Sequence, residues 1–351
     1  MKQDYICGVP FTSLEVQEKE NFLCCASWLF KPIPKYKNVE ESWNSIEANE
    51  IRESILDGSY KYCDDTQCPF LAQVEHKSKG NTGPLFLRNN LPKLVKDKID
   101  LFKEGILKPE IIQFSFDRTC NLKCPTCRVE LITADRKQIN NIELTIKDIE
   151  KYYSTDITTL YITGSGDPFI SVGFRNFLRN FDKKKYPNLV NIHLHTNATK
   201  WNKKMWDSMK NVQKYVRSCE ISVDAATKNT YENITRLGGN WDELIDNLKF
   251  ISKLPYLNRV KTSFVVQKSN YKEMKLFYNI MNKIFRNKVS VFYGKVNNWG
   301  TYTDKQFNDL AVWNNNHPLH SDFLSHVNET LPADRAWSNL QEFITEKKQL
   351  I

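Results

Sequence analysis

The sequence predicts an α/β fold, a partial (βα)6 TIM-like barrel with a small N-terminal unit ahead of it, on three observations. From about residue 105 onward, short runs rich in Val, Ile, Phe, Tyr and Thr alternate with longer stretches of helical spacing. Strand then helix recurs six times. Residues 1–95 break that rhythm and carry five of the nine cysteines.

The strand candidates are IIQFSF (111–116), TTLYIT (158–163), LVNIHLHT (189–196), CEISVDA (219–225), RVKTSFVVQ (259–267) and KVSVFYG (288–294). Helical stretches between them include 173–184, 200–212, 240–254 and 270–285. In the last, Met274, Phe277, Tyr278 and Met281 recur at helical spacing and read as core packing. A helix that must cross back over the sheet before each new strand predicts parallel pairing. Six units fill three quarters of an eight-fold barrel, and a flat doubly wound sheet is the alternative. In both, ligands bind beyond the C-terminal strand ends, so chemistry is expected just after each strand.

Ahead of the repeat, TSLEVQ and NFLCC read as a short hairpin. A helical stretch (39–58), the cysteine-bearing loop YCDDTQCPF and a connecting helix (91–105) follow. The expected division is 1–95 for this unit, 96–295 for the barrel and 296–351 for a C-terminal extension rich in aromatics and histidine. Trp299, Tyr302, Trp313, His317, His320 and His326 stand in that extension.

Composition bounds the function. With 351 residues, 40% hydrophobic and 26% charged, the chain reads as globular and large enough to bury a core without disulfides. No run reaches the roughly 18 apolar residues of a membrane span. The opening MKQDYICGVP lacks a basic-then-apolar export pattern. Net charge +9 is mild for this size and makes no case for nucleic acid. A cytoplasmic, reducing location is therefore expected, where clustered thiols serve as metal ligands or reactive groups more often than as disulfides.

The informative signal is DRTCNLKCPTCR, with Cys120, Cys124 and Cys127 in CxxxCxxC spacing directly after the first strand. Three thiolates on one loop can hold three irons of a 4Fe–4S cube and leave the fourth open. An open position is what a catalytic metal needs. A zinc knuckle with a fourth ligand elsewhere is the structural alternative. The second strand runs into GSGDPF, HTNAT follows the third, SVDAAT the fourth and FVVQKSN the fifth. Cys219 reads as a buried structural thiol.

These motifs resemble the radical S-adenosylmethionine (SAM) superfamily. The resemblance implies that Cys120, Cys124 and Cys127 ligate a catalytic 4Fe–4S cluster whose open iron is chelated by SAM. Reductive cleavage of SAM then gives a 5′-deoxyadenosyl radical that abstracts hydrogen from a substrate. Ser165, Gly166 and Asp167 look like the family's motif for the SAM amino group. Ser222 and Asp224 are implied near its carboxylate or ribose, Arg236 at its carboxylate, and Gln267 as a further contact. An external one-electron donor such as a flavodoxin or ferredoxin is implied as well.

Cys7, Cys24, Cys63 and Cys68 would supply four thiolates for a second, closed 4Fe–4S cluster, with zinc as the alternative. Neighbours in a strand point to opposite faces, so one of Cys24 and Cys25 faces the metal, and Cys24 is taken. This unit resembles the SPASM or twitch auxiliary-cluster domains, here placed before the barrel. Relatives with such domains often modify peptides or proteins, so a peptide is the first expectation for substrate. A sugar, nucleotide or cofactor precursor is the alternative, and a non-enzymatic zinc or iron–sulfur module the competing class.

Overall fold

A computed structural model describes residues 2–75, 83–331 and 335–344. The chain divides into two compact units. The first comprises Met1–Thr119, Thr133–His195 and Ser208–Arg217, the second Cys120–Ile132, Thr196–Asp207 and Ser218–Ile351. Part of the C-terminal extension, residues 332–334 and 345–351, lies outside the described residues.

In the first unit the strands are β1 (Tyr5–Cys7), β2 (Ser13–Gln17), β3 (Glu20–Phe22), β4 (Ile33–Pro34), β5 (Leu85–Leu87), β6 (Ile111–Ser115), β7 (Thr159–Ile162) and β8 (Asn191–Thr196). β6, β7 and β8 pair in parallel, as the repeat predicts. β2 and β3 form the expected antiparallel hairpin, and β2 also pairs in parallel with β6, from Ser13 opposite Ile111 to Gln17 opposite Ser115. β4 extends the hairpin, and β1 pairs separately with β5. One face of this sheet is apolar: Phe114 of β6 packs on Phe174 and Phe177 of the helix Val172–Arg179. Alternate residues carry polar groups to the other face, where Glu15, Gln113, Tyr161 and His193 stand in register across four strands. The Tyr161 and His193 rings lie 4.5 Å apart.

The helix Arg136–Tyr153 connects β6 to β7. It starts at an Asp135–Gln138 capping box and buries Ile142, Ile146, Ile149 and Tyr153 along one stripe. The stretch at 39–58 is two helices, Val39–Trp43 and Ile46–Leu56, because Ser45 caps the second through the Ala48 N–H.

The second unit holds β9 (Val216–Ser222) from Ser218 onward, β10 (Arg259–Val266), β11 (Val289–Lys295) and β12 (Ala336–Ser338). All three pairings are parallel. The helices Trp241–Ile251, Met274–Phe285 and His320–Thr330 form the crossovers, and Met274, Phe277 and Met281 are buried as core. Cys219 is fully buried in β9. The architecture is that of a mixed α/β fold with parallel strands, a partial TIM barrel. Among the described residues, no helix is long and apolar enough to cross a membrane.

Candidate functional site

The three-cysteine loop belongs to the second unit and is fastened by backbone bonds. Cys120 N–H donates to Ile132 O, Lys123 N–H to Leu237 O, and the N–H groups of Cys127 and Arg128 both donate to Cys124 O. Asn121 Nδ2 donates to Thr199 Oγ1 at 2.9 Å. Cys120 and Cys124 are buried around Leu122, and Cys127 packs against them.

Each sulfur has its own side-chain N–H donor. Asn197 Nδ2 lies 3.5 Å from Cys120 Sγ, Arg236 Nη1 3.4 Å from Cys124 Sγ, and Arg128 Nη2 3.4 Å from Cys127 Sγ. Burial pushes the Cys124 thiol up, and Arg236 partly offsets this. Burial also works against the Arg128 charge, but the three neighbouring sulfurs outweigh it and hold the guanidinium charged. Tyr302, from the C-terminal extension, has its phenol raised by burial and then by Cys124, so it stands within electrostatic reach of that sulfur.

Asp224 and Arg236 meet each other. Their ion pair is 2.6 Å long and nearly inaccessible, with the side chains 4% and 11% exposed. Burial lowers the Arg236 pKa, and the Asp224 carboxylate, followed by Cys124, raises it to a net increase. Asp224 sits at φ +60° and also accepts from Val265 N–H, while its carbonyl accepts from Asn270 Nδ2. The carboxylate is thus anchored to β10 and aims Arg236 at the cysteine loop. Arg236 Nε and Gln267 Oε1 are buried without a protein partner among the described residues. Ser222 Oγ accepts from Ser263 Oγ at 3.3 Å.

The first unit holds Ser165, Gly166 and Asp167 after β7. Ser165 Oγ lies within hydrogen-bonding distance of Ser115 O and Asp117 O, and Asp167 N–H donates to Thr119 O. Asp167 Oδ1 accepts from Phe169 N–H. A Cβ at Gly166 would stand 2.5 Å from Asp117 O and 2.7 Å from Thr119 O, so only glycine admits this approach to the segment leading into Cys120.

The N-terminal cysteines form a second constellation, inside the first unit. Cys7 on β1, Cys24 after β3, and Cys63 and Cys68 at the ends of the loop CDDTQC line one cavity. Its remaining wall is apolar and includes Trp28, Leu29, Ile55, Phe70 and Leu71. Asp64 folds the loop, accepting from Thr66 N–H, Thr66 Oγ1 and Gln67 N–H. Burial raises all four thiols, Cys63 to about 12, and in Cys24 repulsion from Cys7, Cys68, Cys25 and Cys63 adds to it. Backbone N–H groups of Phe70 and Leu71, in the first turn of the helix Pro69–Glu75, pull Cys68 the other way. Cys25 Sγ instead lies 3.1 Å from Ser27 Oγ and is not part of the cavity wall.

Among the described residues, no three His, Cys, Asp or Glu side chains converge closely enough to hold a single metal ion. In an iron–sulfur cube each cysteine holds a different iron.

Residues 114–279 match the family described as the radical SAM superfamily. That span, just under half of the chain, carries the radical SAM match. The match makes this an enzyme, and the family implies a 4Fe–4S cluster and SAM. The residues present fit that cluster: three sulfurs, two buried and one partly buried, each beside an N–H donor, on a loop within the matched span.

Solved structures to which the chain is similar include SuiB of Streptococcus suis bound to its precursor peptide SuiA. That match has 13% identity, covers 96% of this chain and 71% of the other, and has a TM-score of 0.43. SuiB bound to SAM matches at 15% identity over 85% of this chain and 63% of that one, with a TM-score of 0.44. A radical SAM methyltransferase from Sphaerobacter thermophilus matches at 12% over 71% and 82%, with a TM-score of 0.36. The chain thus spans less than two thirds of the SAM-bound SuiB. No curated protein sequence matches it.

Sequence reasoning missed Asn197 and Arg128 as neighbours of the cysteines. Asn197 lies in HTNAT, after the third strand, where loop polar groups are expected to serve a site. Arg128 follows Cys127 directly, and a cation next to a thiolate loop is a signal the motif itself contained. The row Glu15, Gln113, Tyr161 and His193 was also readable, as polar residues alternating with Ile and Leu in otherwise apolar strands.

Proposed function

We propose that this enzyme reductively cleaves SAM at a cluster held by Cys120, Cys124 and Cys127 and uses the resulting radical on a peptide or protein. The observation that carries this reading is the three-sulfur loop with a donor at each sulfur, set within a radical SAM domain. When bound, the cluster supplies an open coordination position and the electron that splits SAM to a 5′-deoxyadenosyl radical, which takes hydrogen from the substrate.

The chain's own residues do the rest. Arg236, fixed by Asp224, has a buried Nε still available for an acceptor such as the SAM carboxylate. Gln267 Oε1, also buried and unpartnered, can accept from a ribose hydroxyl or an amino group. Ser222 is the remaining contact we assign to SAM in the second unit. Ser165, Gly166 and Asp167 are assigned to the amino group, with Gly166 allowing the loop to lie flat on residues 117–119. The polar row on the sheet face away from the helix Val172–Arg179 offers Glu15, Gln113, Tyr161 and His193 to a substrate.

Residues 1–95 are read as a second cluster site, with Cys7, Cys24, Cys63 and Cys68 as ligands. Their shared apolar cavity and the backbone donors to Cys68 support this. The peptide substrate rests on the resemblance of that unit to auxiliary domains of peptide-modifying relatives. A flavodoxin or ferredoxin in the cytoplasm is the proposed donor.

Anaerobic reconstitution with iron and sulfide, reduction and incubation with SAM tests the reading. It should yield 5′-deoxyadenosine and two clusters per chain. A fully loaded protein that leaves SAM intact overturns it. Peptide extracts then test the substrate: masses that change only with SAM and reductant support a peptide, and changes confined to small metabolites replace it.

A further inference from the structure

We infer that Asn197 is a positioning residue that tunes how readily the catalytic cluster accepts its electron, acting through an N–H donated to Cys120. This rests on the cluster reading above.

The amide has one possible orientation. Its Oδ1 accepts from Thr199 N–H at 2.9 Å and from Thr199 Oγ1 at 2.6 Å. A backbone N–H can only donate, so the oxygen must face it and the nitrogen must face the other way. Nδ2 then meets Cys120 Sγ at 3.5 Å and Asn121 Oδ1 at 3.1 Å. Asn121 Nδ2 returns to Thr199 Oγ1, which closes a ring of side chains between the two loops.

The loop bearing Asn197 is itself fixed. Ala198 sits at φ +60°, a left-handed conformation unfavourable for a non-glycine residue. Asn247 Nδ2 clamps it with donations to Ala198 O and Thr199 O, at 2.9 and 3.0 Å. Asn197 is 6% exposed, so water competes little for the sulfur.

Reduction adds negative charge to a site already negative from its thiolates, and part of that charge falls on the ligand sulfurs. An N–H donor stabilises the more negative state and raises the reduction potential. Arg128 and Arg236 act in the same sense at the other two sulfurs, but removing Arg236 would strand buried Asp224. Asn197 is neutral and separable.

The test is a redox titration of the reconstituted full-length chain, followed by the EPR signal of the reduced cluster that SAM perturbs. Asn197→Ala should lower the equilibrium constant for reduction about tenfold, 59 mV for one electron. Thr199→Ala, which keeps the donor and the backbone N–H that sets its orientation but removes the Oγ1 contacts that brace Asn197 and Asn121, should shift it the same way by less. Unchanged midpoints in both variants at full iron content overturn the inference. If Asn197→Ala loses iron, Thr199→Ala decides alone: a lowered midpoint supports the inference and an unchanged one overturns it. A parent protein with no SAM-sensitive signal is a different result, since it overturns the proposed function itself.

Discussion

The two cysteine constellations handle the same element in opposite surroundings. At Cys120, Cys124 and Cys127, an amide and two guanidiniums approach the sulfurs, and two of these donors carry charge. At Cys7, Cys24, Cys63 and Cys68, the wall is Trp, Leu, Ile and Phe, and the donors are backbone N–H groups. The first setting favours negative charge and its increase on reduction. Burial raises thiols in both settings, Cys124 included, but in the first the Arg236 guanidinium opposes it at hydrogen-bond distance from the sulfur, and in the second, among the described residues, no guanidinium does. Under the proposed function, the first site takes up the electron and the second holds a closed group.

The sharpest way to break this contrast is to remove a ligand from each side. Cys124→Ala should abolish 5′-deoxyadenosine formation and remove one cluster, while the visible spectrum keeps the other. Cys24→Ala should remove only the N-terminal cluster, whereas Cys25→Ala should leave iron and sulfide content at the parental level. Equal loss from Cys24→Ala and Cys25→Ala would sink the assignment of ligands.

Next in size is the buried pair. Asp224→Ala leaves Arg236 charged and enclosed, and breaking such a pair costs about 3–5 kcal/mol. Urea unfolding should show it, together with weaker SAM binding by calorimetry.

The apolar cavity makes a pH prediction for the metal-free chain. Cys63 has its pKa raised from the usual 9.0 to about 12, chiefly by burial. Below pH 9 the thiol is neutral in folded and unfolded chain alike. As pH rises from 9 toward 12, only the unfolded chain releases its proton, so stability falls. Urea midpoints of the apo protein should decline over that window, and Cys63→Ser should flatten the decline.

Much of this contrast was readable in the chain. Thiols are rare enough that CxxxCxxC after a β-like run identifies a loop and a chemistry together. All six strands of the repeat appear near their expected places because β-branched residues and flanking turn signals are local properties. The parallel addition of β2 to β6 and of β12 to β11 was not legible, because partner choice joins segments far apart in sequence. The same holds for Asn197 at Cys120, where the link between them is 77 residues long. Asp224 and Arg236 were both singled out, yet no spacing rule states that they would bind each other. The helix Arg136–Tyr153 was available in principle from its Ile142, Ile146, Ile149 and Tyr153 stripe.

The smallest expected effect concerns the loop beside Cys120. Ala198→Gly removes the left-handed penalty but adds chain entropy, so thermal unfolding should shift by no more than about 1 kcal/mol in favour of the fold. SAM cleavage should be unaltered.

The pairing of β2 with β6 has a practical side for anyone trimming the protein. A shortened version starting near residue 105 would look natural on paper, since it keeps every repeat. It would also strip β6 of its outer neighbour, baring amide and carbonyl groups along Ile111–Ser115 next to Phe114 and Ile112. Such an exposed seam invites self-association, so the leading hairpin works as a built-in solubility guard that a minimal version would have to replace.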